Sequence, residues 1–361
     1  MVDLARAEDP PSPQVIVSAC RPTAGLAAFE GQDPKVRKSE MNKGGVFIRT
    51  AVLHTIAGDF ERAIEQYDRA IGLNPENASY YYARGMARLK AREFERALED
   101  FRQATTINPR SSMAFFGRGQ AYSSVNEYDR AIEDLNEAIK LLPSNSAAYA
   151  VRGNAYIGKQ EYDRAIEDIE HAIKLDPLCH VGFSYRAIAY GLKGERDRAI
   201  ADYSRVIELS PTPGTAEAYV WRSHAYLGKR DYDRAMQDLG QALKLDPRNV
   251  SALNNSCHAQ AIVGAFDKAL AFCNEALRLQ PNNAYVLDSR GFTYLKMGSL
   301  DDAIAAYDAA LRVDSKKAIS LYGRGMAKRL NGDTAGGDAD IAAAKAIRPT
   351  VADEMTQFGV N

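Results

Sequence analysis

The side chains with the greatest capacity for chemistry in this sequence include two histidines at a repeating distance. His224 and His258 stand 34 residues apart, with Asn254 and Asp288 in neighbouring repeat positions. Imidazoles can hold a metal ion or exchange hydrogen bonds with a ligand. Because neighbouring helices pack about 8–10 Å apart, two imidazoles on adjacent helices meet at one ion only in favourable rotamers. We therefore expect hydrogen-bonding groups here and no metal site.

Two of the four cysteines could form a bond with each other. Cys257 and Cys273 are 16 residues apart, and no CxxC spacing occurs in the chain. The lack of that spacing argues against a zinc site or a thioredoxin-type site. Two packed thiols and a disulfide both fit the pattern, and we favour packed thiols because small buried cysteines fill core space well. The cysteines do not establish the redox compartment.

Six arginines are followed, 16 residues later, by an aspartate. The pairs are Arg84–Asp100, Arg118–Asp134, Arg152–Asp168, Arg186–Asp202, Arg222–Asp238 and Arg324–Asp340, while a seventh arginine, Arg290, faces Ala306. Each pair is centred on a predicted turn, so its members lie level on antiparallel helices. We predict ion pairs that bridge the helices of one repeat or of neighbouring repeats. The alternative is two independently solvated charges.

Motifs of enzymatic catalysis are missing from the sequence. It contains no P-loop, no GxGxxG after a strand, no HExxH and no GxSxG. The acidic residues of the "DRAIED" pattern indicate a solvated helix face with i,i+4 support, and not a pair of catalytic carboxylates. The sequence therefore predicts a protein that is not an enzyme and that uses no cofactor.

These residues are positioned by an internal repeat. "EYDRAIED" occurs at 127–134 and again at 161–168, and prolines recur at the same period. The period defines nine repeats that start at residues 44, 78, 112, 146, 180, 216, 250, 284 and 318. Each repeat holds two apolar stripes of helical spacing, both too short for a helix that is stable alone. We predict an all-α array of helical hairpins that share one apolar seam.

The fourth repeat resembles the tetratricopeptide repeat, a 34-residue helix–turn–helix. It carries the family's pattern of aromatic, small and proline residues at Tyr149, Gly153, Tyr156, Tyr162, Ala165, Ala172 and Pro177. The resemblance extends over residues 44–349 and implies a right-handed α-solenoid. It also implies that the first helices line a concave groove in which a peptide or protein partner lies, as in bacterial repeat proteins of this kind.

The resemblance implies a set of groove residues at the inward positions of the first helices. They are Tyr82, Met86, Phe116, Gln120, Asn154, Tyr185, Trp221, His224, Asn254, His258, Tyr285, Phe292 and Tyr322. Aromatic rings can bury a partner's apolar side chains while amides satisfy its backbone. We expect Tyr185 and Trp221 to be the anchors, and the alternative is that both pack against neighbouring helices.

Two functions remain open at this point. The first is a non-catalytic scaffold or adaptor that binds a peptide or protein in its groove. The alternative is a periplasmic or envelope assembly factor that self-associates through its repeats. A clamp for a C-terminal carboxylate is doubtful, because the basic inward residues Arg49, Lys90 and Lys296 are in separate repeats.

Charge and hydropathy exclude other classes of partner. The chain has 46 Lys and Arg against 47 Asp and Glu, so it offers no electrostatic footprint for nucleic acid or for an anionic membrane surface. No apolar run reaches the roughly 18 residues of a membrane span. Without an apolar signal region the chain reads as cytoplasmic, but Ala5-Arg6-Ala7 has the form of a signal-peptidase site and leaves a periplasmic alternative.

The regions outside the regular array give weaker expectations. Residues 1–43 are expected to be an N-terminal segment, partly disordered. Residues 350–361 are expected to form a capping helix, with Val351, Met355 and Phe358 on one stripe. The "PTPGT" stretch at 211–215 predicts a local bend, and Gly336-Gly337 predicts a frayed last repeat.

Overall fold

The computed structural model describes residues 38–209, 215–356 and 358–359, with the side chains of 38–43 left aside. The described residues form nineteen α-helices and no strand. The chain is therefore an all-α helical-repeat solenoid, as its period predicts. The N-terminal segment up to residue 37 and residues 211–214 of the expected bend lie outside the described residues.

The helices alternate strictly between first and second members of the hairpins. They are α1 (Lys38–Ile56), α2 (Phe60–Leu73), α3 (Ala78–Lys90), α4 (Phe94–Ile107), α5 (Ser112–Ser124), α6 (Tyr128–Leu141), α7 (Ser146–Gly158), α8 (Tyr162–Leu175), α9 (His180–Leu192), α10 (Arg196–Leu209), α11 (Ala216–Gly228), α12 (Tyr232–Leu245), α13 (Val250–Ile262), α14 (Phe266–Leu279), α15 (Ala284–Met297), α16 (Leu300–Val313), α17 (Ala318–Leu330), α18 (Thr334–Ile347) and α19 (Val351–Thr356). Apart from α1, which begins at Lys38, the first helices begin at the residues that the period gives.

The chain divides into two compact modules, with the boundary between residues 189 and 190, inside α9. We call the described residues 38–189 the N-terminal module and the described residues from 190 onward the C-terminal module. Within each module, first helices of successive repeats pack on one another, as α3 on α5 and α13 on α15. Among the described residues, second helices show no comparable packing on each other. The first helices therefore form the inner, concave layer of each module and the second helices the outer layer.

The two helices of a repeat touch at a small residue in the eighth position of the repeat. A Cβ added to Gly153 would lie 2.5 Å from the Ile169 side chain and 3.0 Å from the Ala165 carbonyl oxygen. The same addition at Gly291 would reach Tyr307 at 2.8 Å. Both distances are shorter than van der Waals contact, so a larger side chain would force the helices apart.

A left-handed residue ends each first helix at the fifteenth position of its repeat. The nine residues are Gly58, Arg92, Asn126, Gln160, Gly194, Arg230, Gly264, Gly298 and Gly332, with φ between 61° and 94°. This conformation closes a helix and lets the chain reverse within three or four residues. The tight turn explains why positions 7 and 23 come to lie level.

The predicted Arg–Asp pairs bridge the two helices of a repeat. Arg152 donates from Nε and Nη2 to the two carboxylate oxygens of Asp168 at 2.7 and 2.6 Å. Equivalent pairs join Arg84 to Asp100, Arg118 to Asp134, Arg222 to Asp238 and Arg324 to Asp340. These are the predicted pairs that fall within one module. Asp168 is only 8% exposed, so the alternative of two solvated charges is wrong for these pairs.

The same arginines also reach the preceding repeat. Arg152 Nη1 donates to Asn136 at 2.6 Å, and Arg324 Nη1 lies 2.7 Å from Asp308. One guanidinium thus connects three helices, because its planar fork presents donors in several directions. Burial alone would raise the pKa of Asp340, but hydrogen bonds from Arg324 and Lys328 outweigh it and lower that pKa.

Cys257 and Cys273 form a disulfide, so the expectation of packed thiols is wrong. The two Cα atoms are 5.4 Å apart, within the range that a disulfide requires. The cysteines occupy positions 8 and 24, where the fourth repeat has Gly153 and Ile169. Close helix packing at these positions brings the two sulfur atoms together. This repeat has no Arg–Asp pair, and the covalent bond takes over the bridging role.

The expected fraying of the last repeat is not observed. Helix α18 is continuous from Thr334 to Ile347. A Cβ added to Gly337 would lie 2.6 Å from the Gly325 carbonyl oxygen, so this glycine permits close contact with α17. The cost of glycine to the isolated helix is offset by tertiary packing.

Breaking one Arg–Asp pair should cost more stability than breaking a surface pair. We expect Arg152→Met or Asp168→Ala to lower the free energy of unfolding by about 3 kcal/mol, since each leaves a largely buried partner charge unpaired. The double variant should lose at least about 1 kcal/mol less than the sum. Urea unfolding followed by circular dichroism measures all three. The exposed pair Arg164–Glu161 is the control and should contribute about 0.5 kcal/mol; strictly additive losses at Arg152 and Asp168 would show that the pair is not coupled.

The disulfide should be detectable chemically and should support the seventh repeat. Alkylation of the denatured, unreduced protein, followed by peptide mapping, should leave Cys257 and Cys273 unmodified and linked. Because the bond closes a 16-residue separation, Cys257→Ser with Cys273→Ser should lower the free energy of unfolding by about 3 kcal/mol. Full alkylation of both residues without reduction would rule the bond out.

Candidate functional site

The inner layer of the C-terminal module contains a cavity of about 180 Å³. Its walls come from α11, α13 and α15, and from the residues that lead into and open α17. The C-terminal residues Glu354, Met355 and Phe358 complete the enclosure. The cavity therefore depends on three successive repeats and on the segment that follows the last one.

Five of the predicted groove residues meet in this cavity: His224, Asn254, His258, Tyr285 and Phe292. The ring of His258 lies 4.9 Å from that of Phe292. The ammonium group of Lys317 lies 3.6 Å above the ring of Tyr285 in a cation–π contact. Residues 34 positions apart come together here because each repeat places the same position on the inner layer.

Two polar atoms of the cavity are buried without a hydrogen-bond partner. Asn254 is 5% exposed, and its Oδ1 has no partner. Nε2 of His258 is likewise buried and unpaired. A buried polar atom without a partner costs roughly 1–3 kcal/mol, so native proteins rarely keep one without a reason. A ligand that supplies complementary polar groups would remove this cost.

Charged groups lie at the end of the cavity near α17. Asp288 accepts a hydrogen bond from the Ser320 hydroxyl, and burial raises the pKa of Asp288 against the opposing influence of Lys317, Ser320 and Arg348. Burial lowers the pKa of Lys317, although Asp288 opposes that shift. Arg348 is paired with Glu354 at 3.0 Å. Positive and negative groups side by side suit a dipolar ligand such as a peptide backbone.

Trp221 lies on the same inner layer but does not line the cavity. Its ring is half-buried and stands 6.1 Å from the ring of His224, edge to face. The indole Nε1 is buried without a hydrogen-bond partner. Trp221 therefore keeps an unused donor and some exposed ring surface, and its role as an anchor stays a prediction.

The predicted residues of the N-terminal module are mostly occupied in packing. Tyr82 lies 6.0 Å from Phe101, and Met86 packs in the same cluster. Phe116 belongs to the core. Asn154 donates to Ser123 at 3.4 Å. No shared cavity of the described residues brings this group together.

Tyr185 does not present its ring to a partner, contrary to its expected role as an anchor. Its side chain is 1% exposed, so the alternative of packing against neighbouring residues describes it better. Tyr322 is also largely buried, within the core of the C-terminal module. Gln120 is buried as well, but its Oε1 has no partner and so retains an unused acceptor.

Several cavity residues lie outside the inward positions counted from the repeat. Lys317 precedes the first residue of α17, and Arg348 precedes α19. Met355 and Phe358 follow the array, where the repeat pattern gives no register. Their common stripe indicated a cap on the last repeat, but nothing in the local sequence indicated contact with α13 and α15.

Two classes of site were sought and not found in the part of the chain that the structure describes. No group of three or more His, Cys, Asp or Glu side chains there is placed to hold a metal ion. Within the same ranges, none of the helices combines the length and the apolar character needed to cross a membrane.

Comparison with known families identifies the repeat. Models described as tetratricopeptide repeat match residues 57–112, 186–250, 222–284 and 290–351, and two further models of that description match 112–145 and 146–179. The matches leave only the ends of the chain and short internal stretches uncovered. None of the curated proteins matches this sequence.

Solved structures share the fold at low sequence identity. A chain of the APC/C hetero-tetramer Cut9–Hcn1 is 15% identical with a TM-score of 0.59, over 87% of this chain and 76% of that one. A tetratricopeptide repeat protein from Parabacteroides merdae is 18% identical with a TM-score of 0.54, over 70% and 99%. PilF of Pseudomonas aeruginosa is 18% identical with a TM-score of 0.50, over 60% and 97%. At these identities the likeness shows the fold alone.

The cavity should make stability depend on pH through His258. Burial, together with the charge of His224, lowers the pKa of His258 to about 4, against about 6.5 in an unfolded chain. Between these values the unfolded state binds a proton that the folded state does not, so stability should fall as the pH drops from about 6.5 towards 4. Urea unfolding of the full chain between pH 7 and 4.5 measures this.

His258→Gln provides the reference, because it keeps a polar side chain and removes the titration. The difference in unfolding free energy between the wild type and this variant should shrink or reverse in sign as the pH falls. Subtraction also removes the contribution of Asp288, whose raised pKa acts in the opposite direction. A difference that stays constant across this range would show that His258 titrates normally.

Proposed function

Because the chain belongs to the tetratricopeptide repeat family, we propose that it is a non-catalytic scaffold that binds a peptide segment of a protein partner. Repeats of this family support protein interaction in general, and stacked repeats present extended concave surfaces. The binding surface proposed here is the inner layer of the C-terminal module. A preorganised groove lowers the ordering cost of binding, so a short peptide can bind measurably.

The observation that carries this proposal is the cavity with two unpaired polar atoms. Its aromatic and aliphatic lining suits an apolar side chain, and Asn254 Oδ1 can accept a hydrogen bond from a peptide N–H. Charged groups at the α17 end, among them Asp288 and Lys317, can orient the peptide dipoles. Most residues that the repeat predicts for partner binding in this module contribute to the cavity.

The disulfide supports one of the two compartments considered. Disulfides persist in oxidising compartments and are rare in the cytosol, where thiols are kept reduced. Cys257–Cys273 thus favours the periplasmic alternative over the cytoplasmic one. The bond lies in the repeat that supplies Asn254 and His258, so the compartment also bears on the rigidity of the cavity wall.

Selection from a random peptide library on the full chain tests the proposed function. We expect enriched peptides to share an aromatic or large aliphatic residue at one position. Their affinity, measured by fluorescence anisotropy, should fall about tenfold in Asn254→Leu, equivalent to the loss of one buried hydrogen bond worth about 1.4 kcal/mol. The side chain of Asn254 keeps its approximate size in this variant, so the fold should be retained.

The matched control is Asn274→Leu, the same substitution on the exposed face of α14 in the outer layer. It should bind the selected peptides as the wild type does. Failure to enrich any peptide, or equal affinity in the wild type and Asn254→Leu, would contradict binding in this cavity. Enrichment that depends on protein concentration, together with dimers in size-exclusion chromatography, would favour self-association instead.

A further inference from the structure

The C-terminal segment, residues 351–359, lies against the inner layer of the C-terminal module as well as capping the last repeat. Val351 and Met355 are 0% and 3% exposed and belong to the core beside α17 and α18. Beyond this anchor, the ring of Phe358 stands edge-on 5.2 Å from His258 and 6.3 Å from Phe292. The segment thus reaches from the ninth repeat back to residues of the seventh and eighth.

The backbone of this segment is also held by the groove. Lys296 Nζ on α15 donates to the Phe358 carbonyl oxygen at 3.1 Å. The Phe358 and Gly359 amides donate to the Met355 and Thr356 carbonyls, each at 3.0 Å, and so form a turn after α19. An aromatic ring between two rings and a carbonyl bound to a lysine are contacts that a bound peptide would make.

From these contacts we propose that Phe358 and the turn around it are a resident ligand of the peptide site, and that the partner is a peptide with an aromatic residue that replaces Phe358. This proposal rests on the proposed function. His258 and Phe292, which the repeat predicts for partner binding, are the residues that contact Phe358. The partner's aromatic ring would take its place between them, and the partner's own carbonyl would accept from Lys296.

The structure divides the segment into a fixed part and an exchangeable part. Helix α19 is fixed by the buried Val351 and Met355 and by Glu354, which accepts hydrogen bonds from Arg348 and Thr350. Phe358 is only partly buried and is joined to the groove by one hydrogen bond. Local opening begins where buried contacts are fewest, so the Phe358 end opens while α19 stays docked. Displacement therefore exposes the cavity without unfolding the last repeat.

The test uses the segment itself as the probe. A fluorescein-labelled synthetic peptide with the sequence of residues 353–361, DEMTQFGVN, is titrated into the full-length wild type and into full-length Phe358→Ala. We expect Phe358→Ala to bind this peptide at least tenfold more tightly than the wild type, whose site is already filled. A peptide with its phenylalanine replaced by alanine should not bind, and Lys296→Met in the Phe358→Ala background should weaken binding about tenfold. Phe266→Ala, at the start of the outer helix α14, is the matched control and should behave as the wild type.

A second measurement does not depend on any variant. Hydrogen exchange of the Phe358 and Gly359 amides in the wild-type chain should accelerate when a peptide selected from the library is added in excess, because their turn opens on displacement. Equal binding of the probe by the wild type and Phe358→Ala, no binding by either, or unchanged exchange at these amides would each overturn the proposal. Library peptides that bind with sensitivity to Asn254→Leu but leave these results negative would retain the scaffold and remove only the resident ligand. If no library peptide binds the wild type or Phe358→Ala, the proposed function itself fails.

Discussion

Each repeat depends on one close contact, between the small residue at its eighth position and the large side chain at its twenty-fourth. At Gly153 and Ile169 there is no room for even one added carbon atom. This spacing brings the neighbouring positions, 7 and 23, within reach of a two-pronged ion pair. It also brings two sulfur atoms into bonding distance where both positions are cysteine. The ion pairs and the disulfide are thus two consequences of the same helix separation. Arg290, opposite Ala306, shows what happens without the aspartate: its Nε is buried and has no hydrogen-bond partner.

The regular positions maintain the fold, and the remaining inner positions are free to differ between repeats. Positions 7, 8, 15, 23 and 24 are used for helix contact and turning throughout the described repeats. The inner faces of α11, α13 and α15 carry histidine, asparagine, tyrosine and phenylalanine in combinations that do not recur. In the C-terminal module this variation produces a cavity with unpaired polar atoms, whereas in the N-terminal module the corresponding residues pack against each other. Specificity in such an array is therefore a property of particular repeats rather than of the scaffold.

The fold could be predicted from the sequence because period, turn position and helix ends are all local signals. The Arg–Asp pairs could be predicted because their two members are present or absent together in nearly all repeats. The disulfide was missed because sulfur separation depends on how closely two helices approach, although cysteine at both contact positions was a usable signal. The burial of Tyr185 and the return of Phe358 to α13 and α15 depend on how successive repeats curve. That curvature is a sum of small rotations that no single residue encodes, so the inner positions could be named but their occupancy could not.

The near-identity of the third and fourth repeats, which share the octet at 127–134 and 161–168, has a consequence for how the length of the chain can change. Insertion or deletion of one complete repeat in this region would leave equivalent surfaces on both sides of the junction. The C-terminal module lacks that tolerance. Phe358 reaches His258 only because a set number of hairpins separates them, and one more hairpin would carry the ring away by about 10 Å, the spacing of packed helices. The same architecture is thus extensible in one half and counted in the other.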